Sequence, residues 1–169
     1  MNTYKDIGVE RIGHVGLIEI RASVLAAQGK AFCAGANFSD PARQEQETRA
    51  ESDPAANLPI NHLYVQAVRI FRNKKPIVAA VHGAAIGGGL GLAVSADFRI
   101  TCPEARFAAN FTKLGFHPGF GLTVTLPELV GRNNAELIFY TSRRVTGEEA
   151  CRMGLANECV PQDRCAAPP

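Results

Sequence analysis

The segment HGAAIGGGLGLAVSAD, residues 82–97, decides how the rest of the chain is interpreted. It places Gly87, Gly88 and Gly89 in a row at the head of an otherwise apolar stretch. Glycine loses more backbone freedom on folding than any other residue and disfavours both helix and strand. Three consecutive glycines therefore indicate a turn where another group approaches the main chain, or a helix packed tightly on a sheet.

The residues on either side of this run predict a strand, a turn and a helix. PIVAAVHG, residues 76–83, has the apolar character of a buried strand, and residues 90–96 are predicted as a helix of small side chains. FRITC, residues 98–102, is predicted as the next strand. Because two strands with a helix between them fall within thirty residues, we expect parallel pairing and an α/β fold.

Hydrophobic periodicity extends this α/β pattern towards the N-terminus. Residues 3–9 and 14–20 predict two strands, since VGLIEI alternates with period two, and residues 23–28 predict a third. Residues 60–71 carry apolar side chains at helical spacing and predict an amphipathic helix.

The end of the sequence predicts one more helix and a boundary. Thr146 followed by Glu149 is typical of a capping box at the start of a short helix, and Gly154 suits its end. We therefore predict a core domain over residues 1–160 and an irregular tail over residues 161–169.

The overall composition excludes several classes of function. A chain of 169 residues with 46% hydrophobic and 20% charged residues is typical of one globular domain. Its net charge of +2 argues against nucleic acid or an anionic membrane as partner, because both need clustered basic residues. The five cysteines form no CxxC pair and the N-terminus lacks a signal-peptide pattern, so we expect no metal and a cytoplasmic protein.

A glycine turn at the head of a helix presents free backbone N–H groups, which suit a phosphate cradle or an oxyanion site. The sequence lacks GxxxxGK[ST], and its spacing does not give GxGxxG. A second loop, GKAFCAGANF at residues 29–38, follows a strand and can offer another N–H near Ala36. One donor from each loop is what an enolate or tetrahedral oxygen requires, although tight packing remains the alternative interpretation of the glycines.

These loops, together with TGEEACRMGLANECVP at residues 146–161, resemble the enoyl-CoA hydratase/isomerase (crotonase) family over most of the chain. The resemblance implies a crotonase-like ββα spiral, incomplete in this sequence, that acts on an acyl-coenzyme A in fatty acid metabolism. It places the thioester oxygen between the N–H groups of Ala36 and Gly88. It implies no other cofactor. The coenzyme A residues that it implies are Lys30, Ala34, Gly35 and Asn37.

The sequence departs from the family at three acidic positions. Two glutamates of the family's hydratases correspond to Gly91 and Phe111, and a carboxylate of some isomerases and dehalogenases corresponds to Gly119. The standard two-glutamate hydration therefore has no acid or base here. His117 remains nearby as a candidate base, and a solvated loop histidine is its alternative interpretation.

A second departure concerns the architecture. Two residues, 21 and 22, separate the strands predicted over 14–20 and 23–28, where the family has a helix. Neither a parallel crossover nor a favourable hairpin turn fits this gap. The family also has C-terminal helices that cover the acyl pocket and build a trimer or hexamer, and these have no counterpart before residue 169.

Three hypotheses follow from the sequence. The first is an acyl-CoA lyase or isomerase that stabilises a thioester enolate, with His117 or a water molecule moving the proton. The second is a non-catalytic relative that binds acyl-CoA or a partner. The third is an inactive truncated form.

Overall fold

The computed structural model describes residues 23–35 and 63–165, and it describes residues 3–4, 7–12 and 15–20 by their backbone. The first three strands form an antiparallel sheet in the order β1-β2-β3. In its register Val9 lies opposite Ile18, as expected from the alternation of VGLIEI. Their bounds are β1 Thr3–Tyr4, β2 Ile7–Ile12 and β3 Val15–Ile20.

Eight further strands form two four-stranded sheets. One sheet has the order β11-β8-β6-β4 with parallel pairs throughout. The other has the order β10-β9-β7-β5, in which β10 alone runs antiparallel to its neighbour. The bounds are β4 Ser23–Leu25, β5 Ala31–Cys33, β6 Ile77–Val81, β7 Ala84–Ile86, β8 Phe98–Thr101, β9 Arg106–Ala108, β10 Val145–Thr146 and β11 Glu158–Cys159.

The helices lie between these strand pairs and at the C-terminal end of the described chain. They are α1 Leu63–Phe71, α2 Gly88–Val94, α3 Leu122–Val130, α4 Arg132–Thr141, α5 Gly147–Arg152 and α6 Gln162–Cys165, with a 3-10 helix at Thr112–Leu114. None of the helices in the described residues is long and apolar enough to cross a lipid bilayer.

The three strand pairs β4–β5, β6–β7 and β8–β9 each divide between the two sheets. β4, β6 and β8 belong to one sheet, and the strands that follow them, β5, β7 and β9, belong to the other. A helix follows β7, so the chain repeats a strand, a corner, a strand and a helix. This arrangement confirms the predicted α/β class with parallel pairing, and the repeats form a ββα spiral.

Short side chains at the centre of the spiral allow the two sheets and α2 to pack closely. Ala79, Ala85 and Ala93 are fully buried, with Leu90 and Phe107 beside them in the same core. Helices α3, α4 and α5 contribute Leu122, Leu126, Ile138 and Ala150 to this core, and Leu155 joins it from the turn after α5.

One charged side chain is buried beside this core. Arg99 is 3% exposed, and its guanidinium donates to the carbonyl oxygens of Leu155 at 2.7 Å and Ala96 at 2.5 Å. Burial lowers the pKa of Arg99, and the nearby Asp97 opposes that effect. The carboxylate of Asp97 accepts from Ile77 N–H at 2.8 Å, so it satisfies a backbone donor at the start of β6.

Two sequence predictions need correction. The strand predicted over 23–28 ends at Leu25, and the helix predicted over 90–96 spans Gly88–Val94. Since β3 and β4 lie in different sheets, they form neither the hairpin nor the crossover considered for this gap, and residues 21–22 lie outside the described residues.

The domain boundary at residue 160 stays a prediction. Within the predicted irregular tail, however, the structure describes the short helix α6. Its Cys165 is 3% exposed and belongs to the core.

Candidate active site

The glycine run lies at a corner between strand β7 and helix α2. Gly87 has a φ of 56° and donates its N–H to the carbonyl oxygen of Ala108 at 2.8 Å, so strand β9 holds this turn in place. Gly88 begins the helix and is half-buried. The run therefore divides into one turn residue and two residues of the first helical turn.

Gly88 has open surroundings. A Cβ atom built at this position would meet no heavy atom within 4 Å. Within the described part of the chain its N–H has no hydrogen-bond acceptor, as is usual in the first turn of a helix. An unpaired amide beside open space can donate to a carbonyl oxygen that enters the site.

The loop that follows β5 packs directly on this glycine turn. A Cβ at Gly89 would lie 1.9 Å from the carbonyl oxygen of Cys33, and a Cβ at Gly35 would lie 2.8 Å from that of Ile86. Both distances are shorter than real Cβ contacts, so a hydrogen atom is required at each position. The structure thus brings the two glycine-bearing loops side by side.

The predicted coenzyme A residues are described in part. Lys30, which precedes β5, and Ala34 and Gly35, which follow it, are exposed. Ala36, the predicted second oxyanion donor, and Asn37 lie outside the described residues. The assignment of these five positions to oxyanion and coenzyme A contacts stays a prediction.

An aromatic ring fills the space beside Gly91, where the family's hydratases are expected to carry a glutamate. A Cβ at Gly91 would lie 2.4 Å from Phe120 Cβ and 2.6 Å from its Cγ. Phe120 is 6% exposed, and its φ of 57° lies in the left-handed region. Its ring packs on that of Phe71, with ring centroids 6.1 Å apart.

Phe111 occupies the second position that corresponds to a family glutamate. It is half-buried, and its Cζ would lie 3.8 Å from a Cβ at Gly87. The glycine turn is thus bordered by Phe111 near Gly87 and by Phe120 at Gly91. Gly119, the third position, precedes Phe120 directly. These contacts place an aromatic ring on each side of the turn, and the side-chain oxygen of Asn110 lies 2.9 Å from a Cβ at Gly87.

His117, the predicted base, lies on a different surface feature. It is exposed and lines an open depression of about 540 Å³ together with Phe116, Phe139 and Tyr140. Gly88 is not among the residues that line this depression. In this structure His117 and the glycine turn do not share that cavity, and the role of His117 stays a prediction.

His82 has a role in the structure that the sequence alone does not reveal. Its ring is 4% exposed, and Nε2 lies 2.9 Å from the carbonyl oxygen of Gly29. The histidine stands at the corner between β6 and β7, next to Gly83. In the sequence, His82 is a polar residue directly after a fully apolar strand. A histidine in that position would ordinarily be expected in an exposed turn.

Comparison with known proteins identifies the architecture. The family model described as enoyl-CoA hydratase/isomerase matches residues 18–167. The chain is 35% identical over 147 residues to a short-chain-enoyl-CoA hydratase of Clostridium acetobutylicum, covering 84% of this chain and 52% of that protein. It is 46% identical over 87 residues to a crotonyl-CoA hydratase of Syntrophomonas wolfei, covering 52% of this chain and 34% of that protein.

A solved structure supports the same likeness. An enoyl-CoA hydratase subunit from Geobacillus kaustophilus superposes with a TM-score of 0.66 at 27% identity, covering 95% of this chain and 70% of that one. The chain spans about half the length of the curated relatives it matches, 50% and 52% in two of them.

Proposed function

The chain belongs to the enoyl-CoA hydratase/isomerase family, and from this membership we propose that it binds a coenzyme A thioester and polarises the thioester carbonyl with the Gly88 amide. The observation that carries the proposal is an N–H without an acceptor among the described residues, beside open space, at a turn where two glycine-bearing loops touch. Ala36 is the proposed second donor, and Lys30, Ala34, Gly35 and Asn37 are the proposed coenzyme A contacts.

Such a site favours chemistry at the carbon next to the thioester carbonyl. Withdrawing electron density into the carbonyl oxygen makes the α-hydrogen more acidic and stabilises the enolate formed when it leaves. One well-placed amide donor is worth on the order of 3 kcal/mol in the transition state of acyl transfer enzymes. The proposed reactions are isomerisation of an unsaturated acyl group, in which a water molecule or His117 takes the α-proton and a proton returns at another carbon, or hydrolysis of the thioester. In hydrolysis a water molecule attacks the polarised carbonyl carbon, its proton passes to a second water molecule or to His117, and coenzyme A leaves as the free thiol.

Two-glutamate hydration has little support at this site. Phe111 and Phe120 border the glycine turn with hydrocarbon, and neither can donate or accept a proton. The same observation favours a second candidate function, a relative that binds acyl-CoA without turning it over. Measurement of binding and turnover on the same preparation separates the two functions.

The N–H itself can be tested by paired substitutions at Gly88. G88A adds a methyl group in open space and keeps the donor, whereas G88P removes the donor at a helix position that tolerates proline. We expect wild type to bind crotonyl-CoA and butyryl-CoA by calorimetry. G88P should weaken binding by about tenfold beyond any effect of G88A, which corresponds to one lost hydrogen bond.

Exchange of the α-hydrogens of butyryl-CoA for deuterium, followed by NMR in D₂O, reports enolate formation without assuming a product. Exchange in wild type that is faster than the uncatalysed rate, and that is lost in G88P, supports the enzyme. If H117A retains this exchange, the proton transfer is assigned to water. Binding without exchange, with no release of free thiol, supports the non-catalytic relative. Absence of thioester binding by the folded wild-type protein contradicts both functions.

A further inference from the structure

The corners of the spiral stack on one another. The chain passes from β4 to β5 through Gly29, from β6 to β7 through His82 and Gly83, and from β8 to β9 through Cys102. These corners come from three successive repeats, since each joins a strand of one sheet to a strand of the other. The contacts between corners therefore set how one repeat sits on the next.

His82 contacts both neighbouring corners. Its ring nitrogen Nε2 lies 2.9 Å from the carbonyl oxygen of Gly29, and its own carbonyl oxygen accepts from the Cys102 thiol at 3.2 Å. The Gln162 side chain donates to the same carbonyl oxygen at 3.3 Å. Because a carbonyl oxygen can only accept, the ring must carry its hydrogen on Nε2.

The buried surroundings of the ring restrict it to this role. His82 is 4% exposed, and its Nδ1 has no hydrogen-bond partner among the described residues. A neutral ring with hydrogen on Nε2 leaves Nδ1 as an acceptor only, which costs less than burying a second unpaired donor. The single N–H of the ring is thus committed to Gly29.

The neighbouring glycine completes the contact. A Cβ at Gly83 would lie 2.4 Å from the carbonyl oxygen of Lys30, so the main chain of the loop rests on the corner itself. Beyond this point the loop is held by β5, whose pairing with β7 is interrupted by a register shift between Ala31 and Cys33. Loop residues 34 and 35 are exposed.

We propose that His82 is a positioning residue, which holds the loop of residues 29–35, with the short strand β5 within it, against the glycine turn through its hydrogen bond to Gly29. The positioning role of His82 does not depend on the proposed function. Its effect on ligand binding does rest on the proposed function, because this loop carries Lys30, Ala34 and Gly35, the described residues among the proposed coenzyme A contacts. With the loop detached, the two glycine-bearing segments would no longer face one carbonyl oxygen.

Two substitutions of similar size separate the hydrogen bond from packing. Glutamine has an amide N–H as many bonds from Cβ as Nε2 is, so H82Q can keep the bond, whereas H82L fills the same space without a donor. Amide hydrogen exchange by mass spectrometry would follow peptides covering residues 29–35, with β8 peptides as an internal reference. We expect exchange in the loop to rise about tenfold in H82L, and to stay within about twofold of wild type in H82Q.

Calorimetry with butyryl-CoA on the same three proteins tests the consequence. H82L should raise Kd about tenfold, and H82Q should restore it. Should the wild type bind no thioester, the proposed function fails, while loop exchange still decides the role of His82. Equal loop exchange in wild type and H82L, or equally fast exchange in H82Q and H82L, overturns the positioning role. If H82L loses its global fold, loop exchange in H82Q and H82N, each compared with wild type, decides between the same two outcomes.

Discussion

At the scale of single residues, the glycines near the site serve different purposes. Gly88 faces open space, whereas Gly89 and Gly91 each lie against atoms that a side chain would displace. The sequence predicted that glycine admits another group near the main chain, and it could not assign that role position by position. The contacts at Gly89 and Gly91 come from Cys33 and Phe120, which lie far away in the sequence and meet these glycines only in the folded chain.

The contact at Gly91 predicts strong coupling with Phe120. G91A should destabilise the protein by about 1–3 kcal/mol, the usual range for overpacking a filled core. F120G removes the Cβ, Cγ and Cδ1 atoms that the new methyl group would meet, and glycine also accepts the φ of 57°. In the F120G background the added cost of G91A should therefore fall below about 0.5 kcal/mol.

Urea denaturation of the four proteins in this cycle measures the coupling. G88A serves as the matched control, since nothing lies within 4 Å of its new methyl group, and its stability should equal or exceed that of wild type. If G91A lowers the free energy of unfolding equally in wild type and in F120G, the ring of Phe120 does not fill this space.

The buried thiol of Cys165 predicts a loss of stability in alkali. Burial raises the pKa of Cys165 from its ordinary value of 9.0 to about 12, with the nearby Cys102 thiol adding to the effect. Between these values the unfolded chain has lost the proton that the folded chain keeps, so the free energy of unfolding falls as pH rises. Below pH 9 the contribution of the Cys165 thiol to the free energy of unfolding should not change with pH.

Urea titrations of wild type and C165A from pH 7 to pH 11 isolate this group. The difference in free energy of unfolding between the two proteins should change only above about pH 9. Above that pH, wild type should lose at most about 1.4 kcal/mol per pH unit relative to C165A. A difference that stays flat across the range would mean that the thiol is not buried as the structure has it.

At the scale of elements, the sequence predicted those with a strong local pattern. The strand β3 coincides with VGLIEI, and β6 and β8 lie within the predicted segments. It missed β7, Ala84–Ile86, because three apolar residues next to a glycine run are too few to show a recognisable period. It also could not tell that β3 and β4 join different sheets, since pairing depends on residues distant in the chain.

The predicted helix start at Thr146 is confirmed, and it can be tested by a hydroxyl deletion. Thr146 Oγ1 accepts the N–H of Glu149 at 3.2 Å, while the Glu149 carboxylate pairs with Arg143 instead of completing the capping box. T146A should lower the free energy of unfolding by about 1 kcal/mol. T146S, which keeps the oxygen, should recover most of that loss.

Chemical denaturation of both variants provides the measurement. The helix that Thr146 caps, α5, has six residues and includes the buried Ala150, so the loss should appear in the global transition. A T146S protein as unstable as T146A would indicate that the methyl group of threonine, and not its oxygen, stabilises this end.

At the scale of the whole molecule, the corners explain why a distant segment contributes to the core. The helix α6 follows the last strand and returns to the sheet, where Cys165 Sγ lies 3.7 Å from the carbonyl oxygen of Ile100. Gln162 reaches His82, which in turn contacts the loop at Gly29. The sequence offered no pattern for these contacts, because QDRC is polar and lacks helical periodicity.

These contacts predict that a chain ending at residue 161 loses stability, although the sequence pattern alone places that segment in an irregular tail. Removing residues 162–169 exposes the space that Cys165 fills at 3% exposure and deletes the hydrogen bond to His82. We expect a loss of about 2 kcal/mol in the free energy of unfolding, from one buried side chain and one hydrogen bond. A chain ending at residue 165 keeps every one of these contacts and is the matched control. Thermal unfolding of both chains would show a lower Tm for the shorter one alone. Equal Tm values would place the end of the cooperative unit before α6 and would restore the boundary at residue 160.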